Sequence, residues 1–321
     1  MRREGSPWQG LGVVIMKELS DHVRSVRMLM LALLVVLIAL VAVYGAIQQV
    51  REATSEDQFL FLLLFTTERG QVPSLVTFLM FLVPLFAIGL GFDAVNGEHN
   101  RRTLSRILAQ PIYRDALLFG KFLAALFILS ICLVALWVMV IGWGLLALGV
   151  PPNAEEMARA AFFLLVTIVY AGVWLSLALF FSIVFRSAAS AALITLGLWL
   201  FLTLIWPPLA SMVAGIIAPP DPRFIQLGLP SPDTFEWTQI LQRLSPSSLF
   251  TEATQVLLNP SVRGLGLLGT LFLPSGAIPG APLPLIESLM IAWPQIVGLV
   301  AASILMFVVG YIIFQRQEVR A

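Results

Sequence analysis

The chain has 321 residues, 59% of them hydrophobic and only 12% charged, with a formal net charge of +1. A soluble domain carries about twice that share of charge, so the composition excludes one and points to a chain solvated by lipid. The near-neutral balance without a basic stripe excludes nucleic-acid binding, and the single cysteine, Cys132, excludes an intrachain disulfide.

In residues 1–27, Trp8, Leu11, Ile15, Leu19, Val23 and Val26 recur every three or four positions, with Lys17, Glu18, Asp21, Arg24 and Arg27 on the other faces. That spacing predicts a helix lying in the membrane interface. The Arg-rich start is not expected to be a cleavable signal, because the apolar run from Met28 continues at full spanning length and serves as an anchor.

A crossing needs about 20 apolar residues. Six segments qualify: Met28 to Ile47, Leu75 to Val95, Ala116 to Gly149, Ala160 to Phe185, Ser187 to Trp206 and Ser288 to Phe314. Residues 28–206 should therefore hold a five-helix bundle, and 288–321 the last span and its tail. The third and fourth spans exceed the requirement and should tilt or project. Pro84 should kink the second. Between the first two, Phe59 to Phe65 is apolar but too short to cross; it reads as an interfacial turn or an extension of a neighbouring helix.

Between the second and third spans, residues 96–121 form a polar island. Leu104, Ile107 and Leu108 fall at i, i+3, i+4, with Arg101, Arg102 and Arg106 on the other faces, which predicts a short amphipathic helix ended before Pro111. Asp115 is placed to cap the next helix. Such an island is either a solvated loop that orients the chain by its charge or a ridge that fits a groove on a soluble partner.

Basic residues fix orientation. Placing the N-terminus, the island, the link at Arg186 and the tail on one side gives that side thirteen basic and seven acidic residues, and the other side six and eleven. The basic side, with both termini, is expected in the cytoplasm.

Residues 207–287, with thirteen of the twenty prolines, form the extracytoplasmic segment with short helices, and Pro207-Pro208 should stop the fifth span. Ser245 is a plausible N-cap with Pro246 at the first helical position, and Leu249, Ala253, Val256 and Leu257 then share a face. The uncharged stretch Gly264 to Ile286 is either a re-entrant cover or a seventh span, which would carry the C-terminus across the membrane.

Catalytic groups are scarce. His22 and His99 are the only histidines, so no two-histidine metal site lies within the spans. Glu155-Glu156 with Arg159 reads as a short acidic turn ahead of the fourth span. Asp93 and Lys121, near the ends of their spans, suggest interfacial anchoring or mutual pairing, or else a gating role. Ser187 to Ala192 is rich in small residues that suit close helix packing, within the bundle or across a dimer seam. No Gly-x-x-x-x-Gly-Lys-Ser/Thr phosphate loop occurs, so the chain is not expected to hydrolyse ATP or to be an enzyme.

The succession Glu98, Thr103-Leu104, Ile107-Leu108, Pro111, Arg114 and Gly120-Lys121 resembles the cytoplasmic loop of the ABC-2 type permeases, with Arg102 where that family usually has Gly and Tyr113 where a small residue is common. The resemblance implies an all-α integral membrane protein of six transmembrane helices in the bacterial cytoplasmic membrane. It further implies that the island is a coupling helix, through which Glu98, Arg101, Arg102, Thr103, Leu104, Ile107, Leu108, Pro111 and Arg114 bind a separate ABC ATPase subunit. ATP and Mg would be held by that subunit, with no cofactor in this chain. The bundle would pair with a second permease copy or a paralogue, and export is implied more often than import. Alternatives are an ATP-independent secondary transporter, which should show inverted repeats and charged midplane sites, and a non-transporting membrane assembly factor. Substrate-binding residues are not assigned.

Overall fold

The computed structural model describes residues 10–50, 59–68, 73–100, 113–149, 151–226, 231–262, 264 and 282–316, and these are helices joined by short links. In chain order they are α1 (Leu11–Val23), α2 (Val26–Val50), α3 (Leu60–Thr66), α4 (Leu75–Gly91), α5 (Asn96–Asn100), α6 (Arg114–Leu148), α7 (Ala154–Val184), α8 (Ala188–Leu200), a π-helical turn (Phe201–Ile205), α9 (Trp206–Ile217), α10 (Pro222–Gln226), α11 (Pro232–Gln242), α12 (Pro246–Leu258) and α13 (Leu285–Arg316). Six stretches are long and apolar enough to cross a membrane, and they coincide in order with the six expected spans. The protein is an all-α membrane protein. Residues 265–281, where a re-entrant cover or a seventh span was expected, lie outside the described residues.

The fourth span, α7, is the hub, with 72% of its most apolar stretch covered by protein against 11% for the sixth. Its small residues set the packing distances. A Cβ on Gly91 of α4 would stand 2.8 Å from the Cβ of Ala178 on α7, so only glycine lets these two spans cross so closely. At 35 residues, α6 is about 52 Å long and outruns a hydrocarbon layer of about 30 Å. It ends at Gly149, whose left-handed backbone (φ 71°) receives no Cβ penalty.

Three local expectations are corrected. The run Phe59 to Phe65 is neither an interfacial turn nor an extension of a neighbour: α3 is a separate short helix with Phe61, Leu62, Leu64 and Phe65 buried in the main core. Four apolar side chains in seven residues favour insertion between α2, α4 and α6 over an interfacial position.

Pro207-Pro208 does not stop the fifth span. The helix widens over the π turn, where Trp206 N–H donates to the Phe201 carbonyl, and runs on through α9 to Ile217 with the prolines in its first turn. A proline needs no N–H partner there, so a fresh helical start absorbs both rings.

The acidic residues ahead of the fourth span lie in the first turns of α7, where Glu156 and Arg159 are buried in a polar knot. Asn153 and Glu156 form a reciprocal capping box, and the other oxygen of Glu156 accepts the Phe61 N–H at 2.9 Å, fixing α3. Arg159 is fully buried. Its guanidinium donates to Glu155 at 2.8 Å, to the Leu257 carbonyl at 3.0 Å, to Ser288 at 3.1 Å and to the Leu283 carbonyl. One planar fork thus gathers the end of α12, the entry to α13 and the start of α7.

The predicted helix from Pro246 is present with Ala253, Val256 and Leu257 buried, but Ser245 makes no side-chain cap; its carbonyl receives the N–H groups of Ser248 and Leu249 instead. Pro294 lies inside the sixth span, as Pro84 does inside the second.

Candidate functional site

At the basic end of the bundle the chain enters and leaves residues 101–112, which lie outside the described residues together with the predicted contacts Arg101, Arg102, Thr103, Leu104, Ile107, Leu108 and Pro111. Glu98 and Arg114 stand on the two flanks, and both flanks are held.

On the entry side, the Ser182 hydroxyl near the end of α7 accepts the N–H groups of Val95 at 3.0 Å and Asn96 at 3.3 Å. The Asn96 amide donates to the carbonyls of Phe92 and Phe185, and Asn100 donates to the Arg186 carbonyl at 3.1 Å. Side-chain donors thereby satisfy the carbonyls that a helix end leaves without N–H partners.

On the exit side, Asp115 is not the cap: α6 starts at Arg114 after Tyr113, which makes no side-chain cap bond. Asp115 lies in the first turn, where its carboxylate accepts the Tyr311 hydroxyl at 3.0 Å and the Gln315 amide of the last span. Arg114 donates to the Gln315 carbonyl at 3.3 Å. The expected cap is thus an interhelical tie, made possible by the last span ending beside the start of α6.

A compact ion cluster lies between the flanks. The Lys121 ammonium is 2.9 Å from Glu18 and 2.7 Å from Glu98, and Lys17 is 2.9 Å from Glu18 and 3.6 Å from Glu98. Of the roles expected for Lys121, pairing near the end of its span is the one it takes, with these two glutamates. Two ammonium groups balance two carboxylates, which allows the Lys121 side chain to be 96% buried, with 4% exposure.

The neighbouring glycine explains how α1 reaches the cluster. A Cβ on Gly120 would stand 2.6 Å from Val14 Cγ1, so the bare backbone admits Val14 while the next residue grips Glu18 one turn along α1. The docked face of α1 is centred on Val14 and Glu18, not on the predicted row of Ile15, Leu19 and Val23, and Val23 is exposed.

Burial pushes the Glu18 carboxyl upward, but Lys121 and Lys17 outweigh it and hold the group below its usual range. For Lys17 burial works downward, and bonding to Glu18 with the nearby Glu98 charge raises it well above the ordinary ammonium value. His22, chiefly through burial, is held below the usual imidazole value. Among the described residues no group of three or more His, Cys, Asp or Glu is placed to hold a metal. The arrangement ties α1, α5 and α6 together through paired charges.

Glu18 and Lys17 were missed as site residues. The available signal was a glutamate at i+4 from Val14 and i+7 from Leu11, inside an otherwise apolar stripe.

Residues 13–319 match the model of the family described as ABC-2 family transporter protein. The chain belongs to the ABC-2 family. Over 148 residues this ABC-2 chain is 35% identical to a Pseudomonas aeruginosa protein named probable ABC transporter permease protein NosY, covering 44% of this chain and 52% of that one. The ABC-2 chain thus spans about half the length of that relative. A Stutzerimonas stutzeri protein of the same printed name is 26% identical over 259 residues, or 79% of this chain and 82% of that one.

Proposed function

We propose that this protein is the membrane-spanning permease subunit of an exporter-type bacterial ABC transporter, working as half of a dimer and driven by separate ATPase subunits. Arg101 to Ala109 act as the coupling helix, with the basic end and both termini in the cytoplasm. Family membership supports the class. The observation that carries the mechanism is the frame: Glu98 and Lys121, on opposite flanks of 101–112, close on each other at 2.7 Å, and Lys121 also holds Glu18 of α1 at 2.9 Å. A push on the loop therefore passes at once to α1, to α6, to α7 through Ser182, and to the last span through Asp115.

The test is affinity purification from the native host with a probe for any co-purifying ATPase subunit, comparing wild type with a Leu104→Asp, Leu108→Asp double variant. Both should insert and fold alike, and only the wild type should retain the ATPase and transport. Equal retention and transport by the double variant overturns the coupling role.

A further inference from the structure

The second and fifth spans both carry proline defects, and a single side chain from α12 bridges these two. In α4, Pro84 has no N–H to give the Met80 carbonyl four residues earlier. Within a bilayer such a carbonyl must find another donor, and it does: the Tyr170 hydroxyl of α7 donates to it at 2.9 Å. In the fifth span the π turn precedes Pro207-Pro208, so the carbonyls of Thr203 and Leu204 lose the donors that α-helical spacing would supply. The Thr203 hydroxyl lies 2.8 Å from the Ser247 hydroxyl of α12, which lies 3.1 Å from the Tyr170 hydroxyl.

The proton order in this chain follows from its end. The Met80 carbonyl only accepts, so Tyr170 spends its hydrogen there. Ser247 must then donate to Tyr170, and Thr203 to Ser247. Ser247 is 4% exposed and Tyr170 is fully buried, with Phe250 of α12 stacked on its ring at 4.4 Å. At the far end of α12, the Leu257 carbonyl is held by Arg159. Midway, Glu252 receives Arg243 and Gln295 of the last span, both at 2.9 Å.

We infer that α12 is a latch: seated, its Ser247 locks the weakened outer parts of the second and fifth spans to the fourth, and lifting it frees both together. Polar handholds near its start, middle and end, rather than apolar contact alone, give the seat a defined position. This inference rests on the packing of the chain and not on the transport reading, so either can fail without the other.

Two measurements on the full-length chain in lipid nanodiscs test it. With Cys132→Ala removing the native thiol, spin labels at the exposed positions Ala154 on α7 and Ile216 on α9 report the separation of the two helices. The parent should give one narrow distance distribution. Ser247→Ala should broaden or shift it, and Ser247→Thr, which keeps a hydroxyl, should restore it. The second measurement is thermal unfolding. Tyr170→Phe should lower the midpoint by several degrees, and by clearly less in a Pro84→Ala background, where residue 84 supplies its own N–H to Met80 and only the Ser247 contact is lost. An unchanged distribution in Ser247→Ala, or an equal Tyr170→Phe loss with and without Pro84, overturns the latch.

Discussion

Lys121 is the residue on which the basic-end frame turns. Lys121→Met leaves Glu18 and Glu98 side by side with only the half-exposed Lys17 to offset them, and the expected loss is on the order of 3 kcal/mol, since unpairing a buried charge costs more than the pair contributes. Adding Glu18→Gln removes the repulsion, so the double variant should recover part of the loss in a detergent melting series. Gly120→Val should detach α1 by collision with Val14, read as faster proteolysis in residues 10–24 with the spans intact. Acidity acts on the same contact with a definite sign. Glu18 is held below its usual 4.5 and His22 below 6.5, so free α1 binds protons that docked α1 refuses, and docking weakens as pH falls below about 6.5, then further below 4.5. Lys17 is raised, so its share persists below about 10.5 and is lost as pH rises towards the docked value. Hydrogen exchange in α1 should therefore be most protected between these limits. Gly120-Lys121 was legible as a pattern and its neighbourhood was not: Glu18 lies 103 positions earlier, a distance that no helical period encodes.

At the level of elements, spans were legible because bilayer thickness fixes a length that hydropathy alone can meet. Their ends and breaks were not. The stop expected at Pro207-Pro208 assumed an α-helical register up to Trp206, whereas one widened turn resets the register and converts two breakers into a helix start. Phe59 to Phe65 was judged against the bilayer as a whole, yet a short helix needs only a protein-lined slot. Arg159 looked like part of an acidic turn because its partners at 257, 283 and 288 arrive from much later in the chain. Arg159→Lys should fail almost as badly as Arg159→Met, since one ammonium cannot reproduce a fork serving two carbonyls, a hydroxyl and a carboxylate. Two buried carbonyls left unpaired place the cost at about 3 kcal/mol. A melting comparison of the two variants checks this, and a mild Lys variant would show that charge alone matters.

Across the whole molecule, several buried polar groups of the central span, and the first turn of α6, are matched with residues from the last third of the chain. Tyr170 and Arg159 bind α12, Ser176 lies 3.1 Å from Ser303, and Asp115 waits for Tyr311 and Gln315. The apolar surface left over belongs mainly to the first, fifth and sixth spans, each less than a quarter covered. That division of labour has a consequence during synthesis. While the ribosome has delivered only the first four spans, the hub sits in the membrane with Arg159 still awaiting Leu257, Leu283 and Ser288, and Ser176 awaiting Ser303, and the nascent bundle is an unfinished clasp. A chain cut short after residue 282 should insert normally yet be cleared quickly by quality-control proteases, as a pulse-chase would reveal. Maturation of this protein is thus timed by its own carboxyl end.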